Sequence, residues 1–204
     1  MIKIVKWVAG ILVLGFVVLV IGRAIYLGLE DRTEREVEKI HATKLTLADV
    51  MGENLPPDPG EEADDTVEGI DANGNGIRDD VELAIFDKYP DSAKTRAALL
   101  QYALALQLEM TQDVVNEGTV NAVIEENSRA GDCIADVMVP REGPESSRSY
   151  SDLEKINEYM SFVDEKHLNN SYRKTVKEKF YSYLGSYSNS PKPVCDIDVS
   201  NFQN

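Results

Sequence analysis

The chain has 204 residues, 43% of them hydrophobic and 28% charged, a balance that fits one globular domain with an anchor or tail and argues against a disordered chain. Its 21 Lys and Arg against 36 Asp and Glu leave a net charge of −15, which argues against nucleic-acid binding, because phosphate demands a basic footprint. Two cysteines and two histidines are too few for a zinc site of ordinary composition.

Residues 7–22 read WVAGILVLGFVVLVIG, with no charge. Counted from Ile4, the apolar run to Gly22 is nineteen residues, about 28 Å as a helix, close to the roughly 30 Å of a bilayer core. Lys3 and Lys6 precede it, so the short N-terminus is expected to stay cytoplasmic. Trp7 and Tyr26 fall near the two ends, where aromatic rings favour the interface. The alternative is a cleaved signal peptide followed by secretion; the best small-residue site, Val20-Ile21-Gly22, is a weak match, and no cysteine follows for lipid attachment. Residues 1–29 are therefore read as an uncleaved transmembrane signal-anchor in a bacterial-type inner membrane, with the rest periplasmic or extracellular. Residues 30–204 carry 18 basic and 36 acidic side chains.

Residues 30–69 divide in two. EDRTEREVEKIH (30–41) has only Val37 and Ile40 as apolar residues and reads as a solvated helix, with His41 in water. TLADVM follows, with Thr46 and Asp49 at N-cap spacing. ENLPPDPGEEADDTVEG is acidic and rich in Pro and Gly, which predicts a mobile linker and a domain boundary.

From residue 70 to 204 the pattern is helical. DDVELAIFDKY opens with acids, as a helix N-terminus favours. AALLQYALALQL (97–108) has only Gln101 and Gln107 as polar residues, which predicts a central buried helix, too short to cross a membrane. A third helix is expected from about Thr119, with Val120, Val123, Ile124, Ile134 and Val137 inward, ending at Pro140. Ser151 and Glu154 have capping-box spacing before Leu153, Ile156, Met160, Val163 and His167. The last helix carries Tyr172, Val176, Phe180 and Leu184, with Gly185 as its C-cap. No window alternates long enough for a strand. The expected fold is all-α: an N-terminal transmembrane helix, a linker, and a compact bundle of four or five helices around 97–108.

Export makes the cysteines interpretable. Cys133 and Cys195 are the only pair, and in an oxidising compartment they are expected to bond, tying SPKPVCDIDVSNFQN to the bundle.

One segment has the spacing of a metal loop. Residues 71–82 read DANGNGIRDDVE. Asp71, Asn73 and Asn75 alternate as oxygen donors, Gly76 permits a sharp turn, Ile77 offers a carbonyl, and Asp79 and Glu82 follow on the exit helix. Calcium, a hard cation taking six to eight oxygens, suits this set. The stretch resembles the EF-hand family and the single loops of dockerin-like extracellular modules. It departs from the paired-hand pattern: no helix directly enters the loop, position 8 is Arg78, and no second loop exists. The resemblance implies a lone, structural calcium site of modest affinity, held by Asp71, Asn73, Asn75, Ile77, Asp79 and Glu82.

No nucleophile turn of the G-x-S-x-G type occurs. His167 is expected to be packed rather than catalytic, and the tyrosines 172, 181, 183 and 187 to pack at core and rim. The sequence therefore predicts a membrane-anchored, calcium-binding helical module acting as a protein-binding or accessory subunit. The alternative is a small exported hydrolase, glycan- or cell-wall-acting, using His167 or paired carboxylates.

Overall fold

The computed structural model describes residues 2–143 and 146–202; these are all-helical, with no strand among them. Helix α1 (Ile2–Ala42) is followed by α2 (Leu47–Met51), a 3₁₀ turn (Gly60–Asp64), α3 (Asp79–Lys88), α4 (Ala93–Thr111), α5 (Glu117–Met138), α6 (Tyr150–His167), α7 (Ser171–Tyr181) and a final 3₁₀ turn (Val199–Asn201). Most starts are locally encoded. Thr46, Ser92, Asn116, Ser149 and Asn170 each cap a helix by accepting from a backbone N–H in its first turn.

The N-terminal half of α1 is long and apolar enough to cross a membrane, and none of its apolar window is buried within the molecule. That is unlike the core helix of a water-soluble domain, which hides its apolar side chains. The helix does not end where the charges begin. It continues without a break to Ala42, and Ile40 is fully buried against Val120, Val123 and Ile124 of α5 and Phe180 of α7. The stretch expected to be solvated is thus a docking edge. His41 is half-buried as well, with Nδ1 2.7 Å from the Glu126 carboxylate.

α4 is the axis of the bundle, as its composition predicts. It packs against α2, α3, α5, α6 and α7, and Leu99, Leu100 and Leu106 have no exposed surface. Its two glutamines explain themselves here. Gln101 donates to the Val194 carbonyl (3.0 Å) and accepts from the Asp196 N–H (2.8 Å), so it binds the C-terminal tail. Gln107 donates to the Glu68 carbonyl at 2.7 Å and binds the segment before the loop. Cys133 and Cys195 form the expected disulfide, S–S 2.01 Å, and Val194, Ile197, Val199 and Phe202 pack onto the core beside it.

The acidic Pro- and Gly-rich stretch is packed onto the bundle rather than strung between bodies. Pro56, Ala63 and Val67 are buried, and fully buried Arg173 of α7 donates to the carbonyls of Ala63, Thr66 and Val67 and pairs with Asp64. Two helix ends differ from expectation. α6 is capped by Ser149 with Asp152, two residues before the Ser151–Glu154 pair, because Arg148, fastened to Asp136 and the Val139 carbonyl, brings the chain to Ser149. α7 stops at Tyr181 and is capped at Ser182, with Gly185 instead lying against Glu117 and donating to Asn121. Tyr172, expected from the sequence to pack at core or rim, is 65% exposed.

Candidate metal centre

The segment 71–82 is held at both ends by the bundle. Ile77 is fully buried, and the Asp79 N–H closes the loop on the Ile70 carbonyl at 2.8 Å. Gly76 has φ +84°, which favours glycine, and a Cβ there would stand 2.8 Å from a Leu104 methyl, which would have to give way. Arg78, the departure from the familiar loop pattern, is 1% exposed. It donates to the carbonyls of Lys166 (2.7 Å) and His167 (3.1 Å) at the end of α6 and pairs with Asp80. A cation there meets the negative end of the helix dipole, so the loop is clamped to α6 rather than to a second loop.

Within the loop the oxygens are arranged by its own N–H groups. Asp71 Oδ1 accepts from Gly74 (2.8 Å) and Asn75 (3.1 Å), and its Oδ2 accepts from Gly76 at 2.8 Å. Asn73 Oδ1 accepts from Asn75 (3.3 Å), and Asn75 Oδ1 from Ile77 (2.8 Å). The Asp79 carboxylate receives the Ala72 N–H at 3.1 Å. Glu82 arrives one turn into α3 with no exposed surface, and its Oε2 accepts from Asn73 and Asn75 Nδ2, each at 3.0 Å. Its Oε1 is buried without a partner.

The structure thus brings Glu82 together with Asn73 and Asn75, while Asp71 and Asp79 serve backbone N–H groups. Among the described residues no three His, Cys, Asp or Glu side chains converge into a ligand cluster. Sequence reading missed the roof of the loop. Asn73 Nδ2 also donates to the Asn54 carbonyl at 2.9 Å, and buried Asp49 adds a negative charge beside Glu82. Only the cap spacing of Thr46 and Asp49 hinted at structure there.

Electrostatics mark the same spot. Burial, with the charges of Asp49 and Asp79, pushes the Glu82 pKa up to about 7. Burial also raises Asp79, and the neighbouring Asp71 and Asp80 charges add to the shift. A buried carboxylate with one oxygen unpartnered is costly alone, and the amides that meet Glu82 do so through their Nδ2 donors, while their Oδ1 atoms accept from the loop's own N–H groups.

The other candidates are accounted for by packing. His167 is 1% exposed, and burial, then the positive charge of Arg78, lowers its pKa to about 3, so it is a neutral interior ring. A polar cluster that sequence reading did not anticipate lies around Glu109, 2% exposed, which accepts from Asn127 (2.7 Å) and Tyr181 (2.9 Å) and faces Lys177 at 3.5 Å. Burial raises its pKa while Lys177 opposes the shift.

In comparisons with known proteins, no family model, no curated protein and no solved structure matches the chain.

Proposed function

We propose that this is a single-pass membrane protein whose exported helical domain is stabilised by one calcium ion and one disulfide, and which serves as a binding or accessory subunit at the outer face of a bacterial-type inner membrane, its N-terminus cytoplasmic. The carrying observation is Glu82: fully buried, one oxygen unpartnered, at the last position of a loop whose other positions offer Asp71, Asn73, Asn75, the Ile77 carbonyl and Asp79. These residues would hold the ion, which supplies the positive charge that offsets mutual repulsion of the carboxylates. The anchor reading is supported by α1, whose apolar window has no cover inside the molecule. The Cys133–Cys195 bond supports export, since such bonds persist in oxidising compartments.

The domain reads as a rigid platform rather than a switch. The loop is fastened to α6 by Arg78 and to the following helix by Glu82, so an ion there stiffens a junction already made. The test is thermal melting of the full chain in detergent, in calcium and in chelator, with calorimetric titration of calcium. At calcium a hundredfold above Kd the stabilisation is about 2.7 kcal/mol. Equal melting temperatures and no heat at millimolar calcium would reduce the loop to a capped turn.

A further inference from the structure

The way α1 enters the domain decides which end of the bundle lies nearest the bilayer. Every described side chain from Ile4 to Arg32 is exposed, and Leu29 is the last large apolar one before the domain. Contacts then begin abruptly. Arg32 reaches Asp113 at 3.4 Å, Asn116 donates to Thr33 at 2.7 Å, and Gln112 donates to Glu36 at 2.9 Å. Arg32 is three residues past Leu29, about 4.5 Å of helical rise. The loop from Gln112 to Asn116 therefore sits at the foot of the domain.

Neighbouring helices follow the same direction. Thr33 meets the start of α5, while Ile40 and His41 meet it further along, at Val123 and Glu126, so α5 leads away from the foot. α4 runs antiparallel to α5, with Thr95 by Met138 and Glu109 by Asn127, so its last turn is at the foot. α7 also ends there, Tyr181 donating to Glu109 and Phe180 packing beside Val120.

A groove of about 380 Å³ opens between the end of α4, the 112–116 loop and the end of α7. Met110, Val114, Val115, Val176, Phe180 and Tyr183 supply its apolar surface. Val114 and Tyr183 are 39% and 47% exposed. The two acid or base side chains among its lining residues, Glu109 and Lys179, are turned opposite ways. Glu109 is bonded inward, whereas Lys179 is exposed at the rim. Asp113, between Gln112 and Val114, is exposed beside the groove and paired with Arg32 at 3.4 Å. Among the lining residues themselves the exposed charge is Lys179, which suits a zwitterionic or anionic lipid head group. Lysine meets phosphate, and tyrosine favours the interfacial layer.

We propose that this groove is a lipid-facing surface that seats the domain on the bilayer, with Val114 and Tyr183 in the head-group layer and Lys179 on a lipid phosphate. The proposal rests on α1 spanning the membrane. It orients the bundle, placing α2 away from the lipid, because α2 follows about 20 Å of further helical rise beyond Leu29.

The experiment uses the full chain in vesicles of phosphatidylethanolamine with a minor phosphatidylglycerol component, their acyl chains brominated near the head group. Native Trp7 reports on α1. In a Trp7→Phe background, Val114→Trp and Tyr183→Trp report on the groove and Met51→Trp on the far end. The expected result is loss of most fluorescence from Trp7, V114W and Y183W, with M51W unaffected, and weaker quenching of V114W when Lys179→Glu is added. Quenched Trp7 with V114W and Y183W no more quenched than M51W would overturn the groove proposal and leave the anchor intact. Unquenched Trp7 would overturn the anchor reading itself, and the groove proposal with it.

Discussion

Glu82→Gln should make the calcium-free domain more stable at pH 8, although it removes the side chain best placed to hold the ion. The folded state raises the Glu82 pKa from an ordinary 4.5 to about 7, with burial the main cause. Below pH 4.5 folded and unfolded chains both carry the proton, and the site costs nothing. Between about 4.5 and 7 the folded state must hold a proton that the unfolded state has released, so stability falls as pH rises. Above pH 7 the penalty is complete, about 3 kcal/mol for a difference of roughly 2.5 units at 1.36 kcal/mol each. Raised Asp79 adds in the same direction. Glutamine keeps an oxygen for the Asn73 and Asn75 donors and abolishes the charge. The assay is urea unfolding of residues 30–204 in chelator from pH 4 to 8; residues 4–29, all exposed, contribute no core to that piece. E82Q should match the parent at pH 4, exceed it by about 3 kcal/mol at pH 8, and gain nothing from calcium, whereas the parent gains. A variant less stable than the parent at pH 8 in chelator, or a pH-independent difference, would refute the reasoning.

Three further outcomes are expected. Reducing Cys133–Cys195, which spans 62 residues, should cost about 4 kcal/mol by loop closure and release the tail that carries Lys192, whose Nζ donates to the His41 carbonyl at 2.8 Å; unfolding midpoints with and without reductant measure it. Ile40→Ala should cost about 2–5 kcal/mol in urea unfolding, as for a core residue, whereas a solvated position would lose almost nothing. Arg173→Leu strands the carbonyls of Ala63, Thr66 and Val67, about 1–3 kcal/mol for each acceptor left buried and unpaired, and should open residues 60–68 to limited proteolysis while the disulfide stays formed.

Much of the fold was legible because it is local. The apolar run of α1, the near-uniform apolarity of α4, the acidic opening of α3 and the single cysteine pair all declared themselves in composition and spacing. The turn at 71–82 is local too: its backbone N–H bonds to Asp71, Asn73 and Asn75 lie within five residues in sequence. Capping was readable in kind but not always in place. Ser149 and Ser151 are both followed three residues later by an acid, and the structure uses the first, next to Arg148, which is paired with Asp136.

The sequence by itself determined the membrane-length helix, the all-helical class and the central helix. Tertiary structure decided what the charged and irregular stretches do. Val37 and Ile40 are two apolar residues in a run of charges, and no local pattern separates a docking edge from a solvated helix. The 60–68 segment has the composition of a linker, yet Arg173, more than a hundred residues away, satisfies its carbonyls. Likewise Arg78 reaches the end of α6 across 88 and 89 residues. Such bonds join a long basic side chain to backbone oxygens, which every residue possesses, so the partner leaves no mark in the sequence; only the packed arrangement of α4, α6 and α7 brings donor and acceptor within reach.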